Sequence, residues 1–234
     1  MSAAQVPPAE IGSAHDLGFL DFPDRLAAIR CAKDLARKAS VWAGQCPTEI
    51  IDPKTVYQRL PKCELVFAKL NPEGVSFRDR DWVSGVTQIS PERSIRTTVE
   101  RRDRPTRRRF TIAHEAAHLF LSLPLLGSSG QAVSPDAKGT GEDSARDEEA
   151  FVRTPNDRPA SDQAYFAQEG LRAEYFADLF AHYFLMPDEV ILPMVRAGIP
   201  VDEVAERLRV SVETAWNREF YMGLELKAAE LEAA

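Results

Sequence analysis

The run His114-Glu115-Ala116-Ala117-His118 constrains this chain more than any other stretch of its sequence. On a helix, residues four positions apart differ by roughly 40° in azimuth and about 6 Å in rise, so both imidazoles can converge on one metal ion. Glu115 would lie beside the fourth coordination position, where its carboxylate can take a proton from water. The spacing therefore predicts a helix that carries a zinc site.

A five-residue pattern of this kind also arises by chance on helices that carry two histidines. Two observations favour a metal site here. The chain has only four histidines, and two of them stand in this run. The flanking residues are apolar on nearly every side, which predicts a buried helix, and burying three ionisable groups without a partner would be costly.

A catalytic zinc site needs a third protein ligand, because such sites take three and leave one position for water. The best candidate lies in the apolar helix predicted for residues 171–187. Glu174 and Asp178 are i,i+4 neighbours on one face of that helix. Glu174 can complete the ligand set, while Asp178 can accept a hydrogen bond from the outer nitrogen of His114. The alternative, a polar stripe facing solvent, fits the apolar neighbours of these acids less well.

Other side chains of the second helix are candidates for lesser roles. His182 can line the cleft or donate to an oxyanion, and its alternative role is that of a structural histidine. Tyr175 and Tyr183 are further candidates for stabilising the oxyanion. The acidic residues of 127–168 compete poorly as ligands, since a ligand must be held rigidly.

The predicted fold class is α+β, with one main domain at residues 18–187. Residues 1–17 are rich in alanine, proline and small polar residues and are expected to lack fixed structure. An amphipathic helix is predicted for residues 24–39. Three short β-prone runs predict a small, mostly antiparallel sheet that leads into the central helix. These runs are residues 64–68, 83–89 and 94–99.

Two strongly charged stretches flank the central helix. Residues 101–109 hold six arginines, which favours a solvated, locally paired turn over a patch for an acidic partner or a phosphate backbone. Residues 127–168 hold eight acidic residues against four basic ones. Their length and composition predict an acidic, flexible insertion.

The C-terminal residues 188–223 predict short helices in a helix-turn-helix-like arrangement, with Ser211 as an N-cap, before a tail at 224–234. Only Asn217 and Arg218 are obvious candidates for reading a DNA groove. We therefore interpret the segment as a helical platform that packs on the main domain or docks a protein, and direct DNA binding as the weaker alternative. The net charge of -7 also argues against non-specific nucleic-acid binding.

No apolar run reaches the length of a membrane span, and the first residues lack a signal pattern. The three cysteines show no paired spacing. These features predict a cytoplasmic location without membrane contact and with reduced thiols. The sequence offers no indicator of the oligomeric state.

Residues 108–121, taken together with residues 174–187, resemble the ImmA/IrrE family of zinc metallo-endopeptidases. The order of elements is similar over about residues 24–220, although the specific motifs are confined to those two stretches. The resemblance implies a zincin-like fold with a metal site and a catalytic base. The positions that match are His114, His118 and Glu174 as metal ligands, Glu115 as the base, and Asp178 as the acidic position after the third ligand.

The chain departs from the family pattern at Ala116-Ala117, where the family has Leu-Gly, and in an enlarged gap between His118 and Glu174. The resemblance implies Zn2+ as the cofactor, with Mn2+ or another divalent ion as an alternative. It also implies a protein substrate, typically a helix-turn-helix repressor whose cleavage releases a stress-response or mobile-element operon. Two other classes stay open: a non-catalytic module that binds a repressor or antitoxin, and a DNA-binding regulator that retains the fold.

Overall fold

The computed structural model describes residues 22–73, 82–90, 94–122 and 160–233, and the statements below refer to these ranges. They contain seven helices and one three-stranded sheet, which confirms the α+β class. The expected loose segment at 1–17 lies outside the described residues. So does most of the expected insertion at 127–168, but its last residues, from Ala160 onward, are helical.

The helices and strands have the following bounds. In chain order they are α1 (Phe22–Trp42), α2 (Lys54–Arg59), β1 (Cys63–Ala68), β2 (Gly85–Ile89), β3 (Ile95–Glu100), α3 (Pro105–Ser122), α4 (Ala160–Leu185), α5 (Asp188–Arg196), α6 (Val201–Leu208) and α7 (Val212–Ala233).

The sheet is mixed, and this corrects the expectation of a mostly antiparallel one. β2 and β3 form an antiparallel pair in which Thr87 lies opposite Thr97. β1 pairs with β3 in parallel, so the strand order is β1-β3-β2. Alternating residues predict a strand but not the direction of its neighbour, because the pattern reads alike in both directions. Within the described ranges, β2 therefore forms one edge of the sheet.

The second half of α4 is the centre of the hydrophobic core. Most of its side chains are apolar, as expected for a helix against which several elements pack, and Leu179, Phe180 and Phe184 are fully buried. Its polar side chains Glu174 and Asp178 are partly exposed. α1, α3 and α7 each pack against α4. The predicted apolar stripe of α1 contributes Ile29 and Ala32, both fully buried. β2 and β3 pack on α3 from the other side, which brings the sheet next to the histidine motif.

The last three helices share this core with α4. Arg209 caps the C-terminus of α6, and its φ of 56° lies in the left-handed region. Ser211 caps α7 as predicted, since its Oγ accepts a hydrogen bond from the Thr214 amide at 3.0 Å. α7 continues through the predicted boundary at residue 223 to Ala233.

Arg218, expected from the sequence as a possible groove reader, is fully buried. Its Nε donates to the Met186 carbonyl at 3.1 Å, and its guanidinium pairs with Asp188. The guanidinium also lies over the Tyr183 ring, 3.9 Å from the centroid. The sequence could not reveal this role, because the partners Met186 and Asp188 are distant from Arg218 in the sequence and meet it only in the folded chain. Of the two candidate readers, only Asn217 is partly exposed.

Two further expectations concern the environment of the chain. No helix in the described ranges combines the length and the apolar character that crossing a bilayer requires. The three cysteines are free thiols, with Cys31 and Cys46 exposed and Cys63 partly buried.

Candidate metal centre

The structure brings the two histidines of α3 together with Glu174 of α4. His114 Nε2 lies 3.2 Å from His118 Nε2 and 3.1 Å from a Glu174 carboxylate oxygen. His118 Nε2 lies 3.3 Å from the other oxygen of Glu174. Ligands bound tetrahedrally to zinc at about 2.0–2.1 Å are separated by roughly 3.3–3.4 Å. The two imidazole nitrogens therefore lie at about this separation from each other, and each lies at about this separation from one oxygen of the Glu174 carboxylate.

The hydrogen bond of His114 to Asp178 defines which atoms of the cluster are acceptors. His114 Nδ1 lies 2.8 Å from Asp178 Oδ1. A carboxylate only accepts, so Nδ1 carries a proton, and Nε2, when it is deprotonated to bind a metal, directs its lone pair toward His118 and Glu174. Acceptor atoms this close repel one another unless a cation lies between them. The donor set of His114, His118 and Glu174 thus fits a metal ion.

The pKa values of His114 and Glu174 also indicate that the cluster stabilises a positive charge between its side chains. Burial lowers the pKa of His114, but hydrogen bonds to Asp178 and Glu174 outweigh burial and raise it to about 10. Hydrogen bonds from His114 and His118 hold the pKa of Glu174 well below its usual range. A proton or a divalent ion can supply the charge that these groups stabilise.

The cluster opens to solvent on the side of Glu174. The Glu174 side chain is 61% exposed, whereas those of His114 and His118 are 15% and 25% exposed. Helix packing holds the two imidazoles, and the carboxylate lies at the rim. A molecule in solution can therefore approach the position at which the ligand atoms converge.

Glu115, the predicted base, lies between α3 and the edge strand β2. It is 7% exposed, and its Oε2 accepts a hydrogen bond from the Thr87 hydroxyl at 2.7 Å. The Thr87 and Thr97 hydroxyls are 2.8 Å apart. A Cβ at Gly85 would lie 2.7 Å from Glu115 Oε1 and 2.5 Å from Thr111 Cγ2, so only glycine permits this close approach. The sequence marked Thr87 and Gly85 only as members of a β-prone run.

His182 lies in the interior rather than in the cleft. It is 4% exposed, and its Nδ1 donates to the Asp178 carbonyl at 2.7 Å. The ring contacts Phe110 and Tyr221 edge-on. Burial lowers the pKa of His182 to about 4, so the ring is neutral near pH 7. These contacts match the structural alternative and argue against the expected role at an oxyanion.

The two tyrosines proposed for the oxyanion differ in their surroundings. Burial raises the pKa of Tyr175 to about 12, so its hydroxyl keeps its proton at neutral pH. Tyr175 remains a candidate donor. The Tyr183 hydroxyl donates to Glu225 at 3.0 Å, and the Arg218 guanidinium lies over its ring, so this hydroxyl already has a partner.

The arginine-rich run at 101–109 is partly engaged by local partners. Arg102 donates to the fully buried carboxylate of Glu100 at 3.0 Å. Arg107 pairs with Asp103 at 3.6 Å. These two contacts agree with the interpretation of the run as a locally paired turn, whereas Arg109 donates to the Ile51 carbonyl, which is distant in the sequence.

Residues 151–218 match the family model Peptidase_M78, described as the IrrE N-terminal-like domain. The matched range contains Glu174 and Asp178 but begins after His118, so the histidine motif lies outside it. The match supports the ImmA/IrrE resemblance and a metallopeptidase-type function. No curated protein matches the chain.

Proposed function

We propose that this chain is a zinc-dependent metallo-endopeptidase of the ImmA/IrrE family. The observation that carries the proposal is the convergence of three acceptor side chains beside a nearly buried glutamate. His114, His118 and Glu174 would hold the ion. Zinc, when bound, supplies Lewis-acid chemistry, because it acidifies water and polarises a carbonyl oxygen. The same donor set also accepts Mn2+ or another divalent ion.

Three side chains near the ion would have separate roles in the reaction: proton transfer, orientation of a ligand and stabilisation of the oxyanion. Glu115 takes a proton from the attacking water and returns it to the leaving amine, as general base and then general acid. Asp178 orients His114 through its hydrogen bond to Nδ1. Tyr175, which keeps its proton, is the candidate donor to the developing oxyanion.

The position of β2 supports a peptide as the substrate. Within the described residues, β2 pairs with β3 only, and Thr87 places this strand directly beside Glu115. An edge strand presents backbone N–H and C=O groups with which an extended peptide can pair. A peptide bound in this way would pass the proposed catalytic base.

We extend the proposal to the substrate class that the resemblance implies, a helix-turn-helix repressor in a regulatory context. The DNA-binding alternative has less support, because Arg218 is buried. One exposed stripe of α7 is apolar rather than basic: Val212, Trp216 and Phe220, spaced four residues apart, are all solvent-exposed.

The experiment that tests the proposal compares three purified proteins loaded with zinc on a mixture of proteome-derived peptides, with mass spectrometry to detect cleavage. We expect the wild type to cut a defined set of peptides. Glu115→Gln should bind zinc normally but cut about 10²–10⁴-fold more slowly, the usual contribution of a general base. Glu189→Gln, which changes an exposed acid on α5, is the matched control and should behave like the wild type.

Two results would contradict the proposal. Wild-type rates in Glu115→Gln would show that another group activates water or that the activity belongs to a contaminant. Stoichiometric zinc binding without cleavage by the wild type would instead favour the non-catalytic repressor-binding or antitoxin-binding alternative.

A further inference from the structure

We propose that Thr87 is a positioning residue for Glu115, and that it fixes which carboxylate oxygen is available for proton transfer. The inference rests on the proposed function, because it assigns Glu115 as the base. It adds a residue of β2 that belongs neither to the histidine motif nor to the second helix.

The hydrogen bonds of Thr87 have only one consistent direction. Its hydroxyl has a single proton, and a carboxylate only accepts, so this proton goes to Glu115 Oε2 at 2.7 Å. The 2.8 Å contact between Thr87 and Thr97 is then donated by Thr97. The result is a chain from Thr97 to Thr87 to Glu115, in which each hydrogen bond polarises the next.

The backbone holds this chain in place. Thr87 and Thr97 lie directly opposite each other on β2 and β3, and Thr97 is fully buried. Both side chains are branched at Cβ, which restricts χ1. Gly85, two residues earlier on the same face of β2, permits the close approach to α3. The hydroxyl of Thr87 is thus presented by a rigid edge strand.

The geometry assigns different roles to the two oxygens of Glu115. Oε2 is occupied by Thr87, whereas Oε1 accepts no hydrogen bond from a described residue. A glutamate has three side-chain torsions, so without an anchor it would distribute over several rotamers. Anchoring Oε2 leaves Oε1 as the oxygen that exchanges protons, in a defined orientation.

The alternative is that Thr87 merely fills space between β2 and α3. Thr87→Val distinguishes the two because it keeps the shape and removes the hydroxyl. Thr87→Ser keeps the hydroxyl and removes the methyl group. Thr98→Val, on the opposite face of β3, is the matched control for a threonine-to-valine change in this sheet.

The test measures kcat, KM and zinc affinity on a peptide that the wild type cuts. We expect Thr87→Val to lower kcat about 10–100-fold, as for loss of a hydrogen bond to a charged group, with KM and zinc affinity within about twofold of wild type. Thr87→Ser should recover most of the loss, and Thr98→Val should resemble the wild type. An unchanged kcat in Thr87→Val, or equal losses in the Val and Ser variants, would overturn the inference.

A second readout separates this inference from the proposed function. Crystal structures of metal-free wild type and Thr87→Val should show one Glu115 rotamer in the first and several in the second. If the wild type cleaves nothing, the proposed function fails, and these structures alone decide the role of Thr87. An unchanged, single rotamer in Thr87→Val would overturn it whatever the activity.

Discussion

At the scale of single residues, Asp178 accepts a hydrogen bond from His114 and contributes no atom to the ligand cluster. Its carboxylate keeps the proton of His114 on Nδ1 and the lone pair of Nε2 directed at His118 and Glu174. Outer partners of this kind fix the orientation of a ligating imidazole and raise its basicity. The strength of the proposed metal site therefore depends on a residue that never touches the metal.

We expect Asp178→Ala to weaken zinc binding by about 10–100-fold, the usual effect of losing such a partner. Asp178→Asn should lose less, because an amide oxygen still accepts from Nδ1. Competition with a chromophoric chelator measures the affinities, and Glu189→Ala, in an exposed acid, serves as the control. Equal affinities for Asp178→Ala and the wild type would show that helix packing alone orients His114.

The residues of the site were not equally predictable. The i,i+4 spacing placed His114 and His118 on one face, and likewise Glu174 and Asp178, because helical azimuth follows from sequence alone. The role of Thr87 was not predictable, because a threonine in a β-prone run does not indicate which helix packs against it. The choice between the two roles of His182 was left open for a related reason. Residue spacing predicts the face of the helix on which a side chain lies, but it does not predict which other elements pack against that face.

At the scale of elements, the contact between β2 and α3 depends on a residue without a side chain. Gly85 brings the strand so close that a Cβ would clash with both Thr111 and Glu115. The clash involves a branched side chain on one side and the proposed base on the other. Relief of either clash would require the edge strand to move away from the helix.

Gly85→Ala should therefore lower the free energy of unfolding by about 1–3 kcal/mol, as expected for overpacking, and should reduce cleavage as well. Gly223→Ala is the matched control. Apart from its chain neighbours and its own helix backbone, nothing lies within 4 Å of a Cβ there, and alanine favours a helix over glycine by roughly 0.5–1 kcal/mol, so this variant should be more stable. Urea denaturation measures the free energy of unfolding of both variants. An unchanged free energy of unfolding in Gly85→Ala would mean that β2 can shift freely.

The strands themselves were predictable, but their arrangement was not. The three β-prone runs coincide with β1, β2 and β3 to within about two residues at either end. Their order reflects burial, because β3, with Ile95 and Val99 buried, takes the central position. Local alternation describes the faces of one strand and carries no information about the strand beside it.

At the scale of the whole molecule, α3, α4 and α7 meet around His182, whose ring contacts Phe110 of α3 and Tyr221 of α7. The ring is buried in its neutral form, and burial lowers its pKa to about 4. The value expected in the unfolded chain is about 6.5. As the pH falls, the unfolded chain therefore binds a proton before the folded one does.

The sign of the resulting pH dependence follows directly. The stability that neutral His182 contributes is fully present above about pH 6.5 and is lost as the pH falls toward 4, with a slope of at most about 1.4 kcal/mol per pH unit. In the presence of a chelator, the melting temperature of the wild type should fall more steeply over this range than that of His182→Gln. Thermal melts at matched ionic strength test this, and parallel curves would contradict it.

The proposed metal centre is divided between two stretches of the chain, since α3 carries His114, Glu115 and His118 while α4 carries Glu174 and Asp178. A break in the backbone anywhere between α3 and α4 would leave one fragment with two ligands and a base, and the other with a single ligand. Neither fragment could hold zinc tightly alone. Metal uptake would then occur only when the two pieces reassociate, so that zinc binding would serve as a direct signal of fragment complementation.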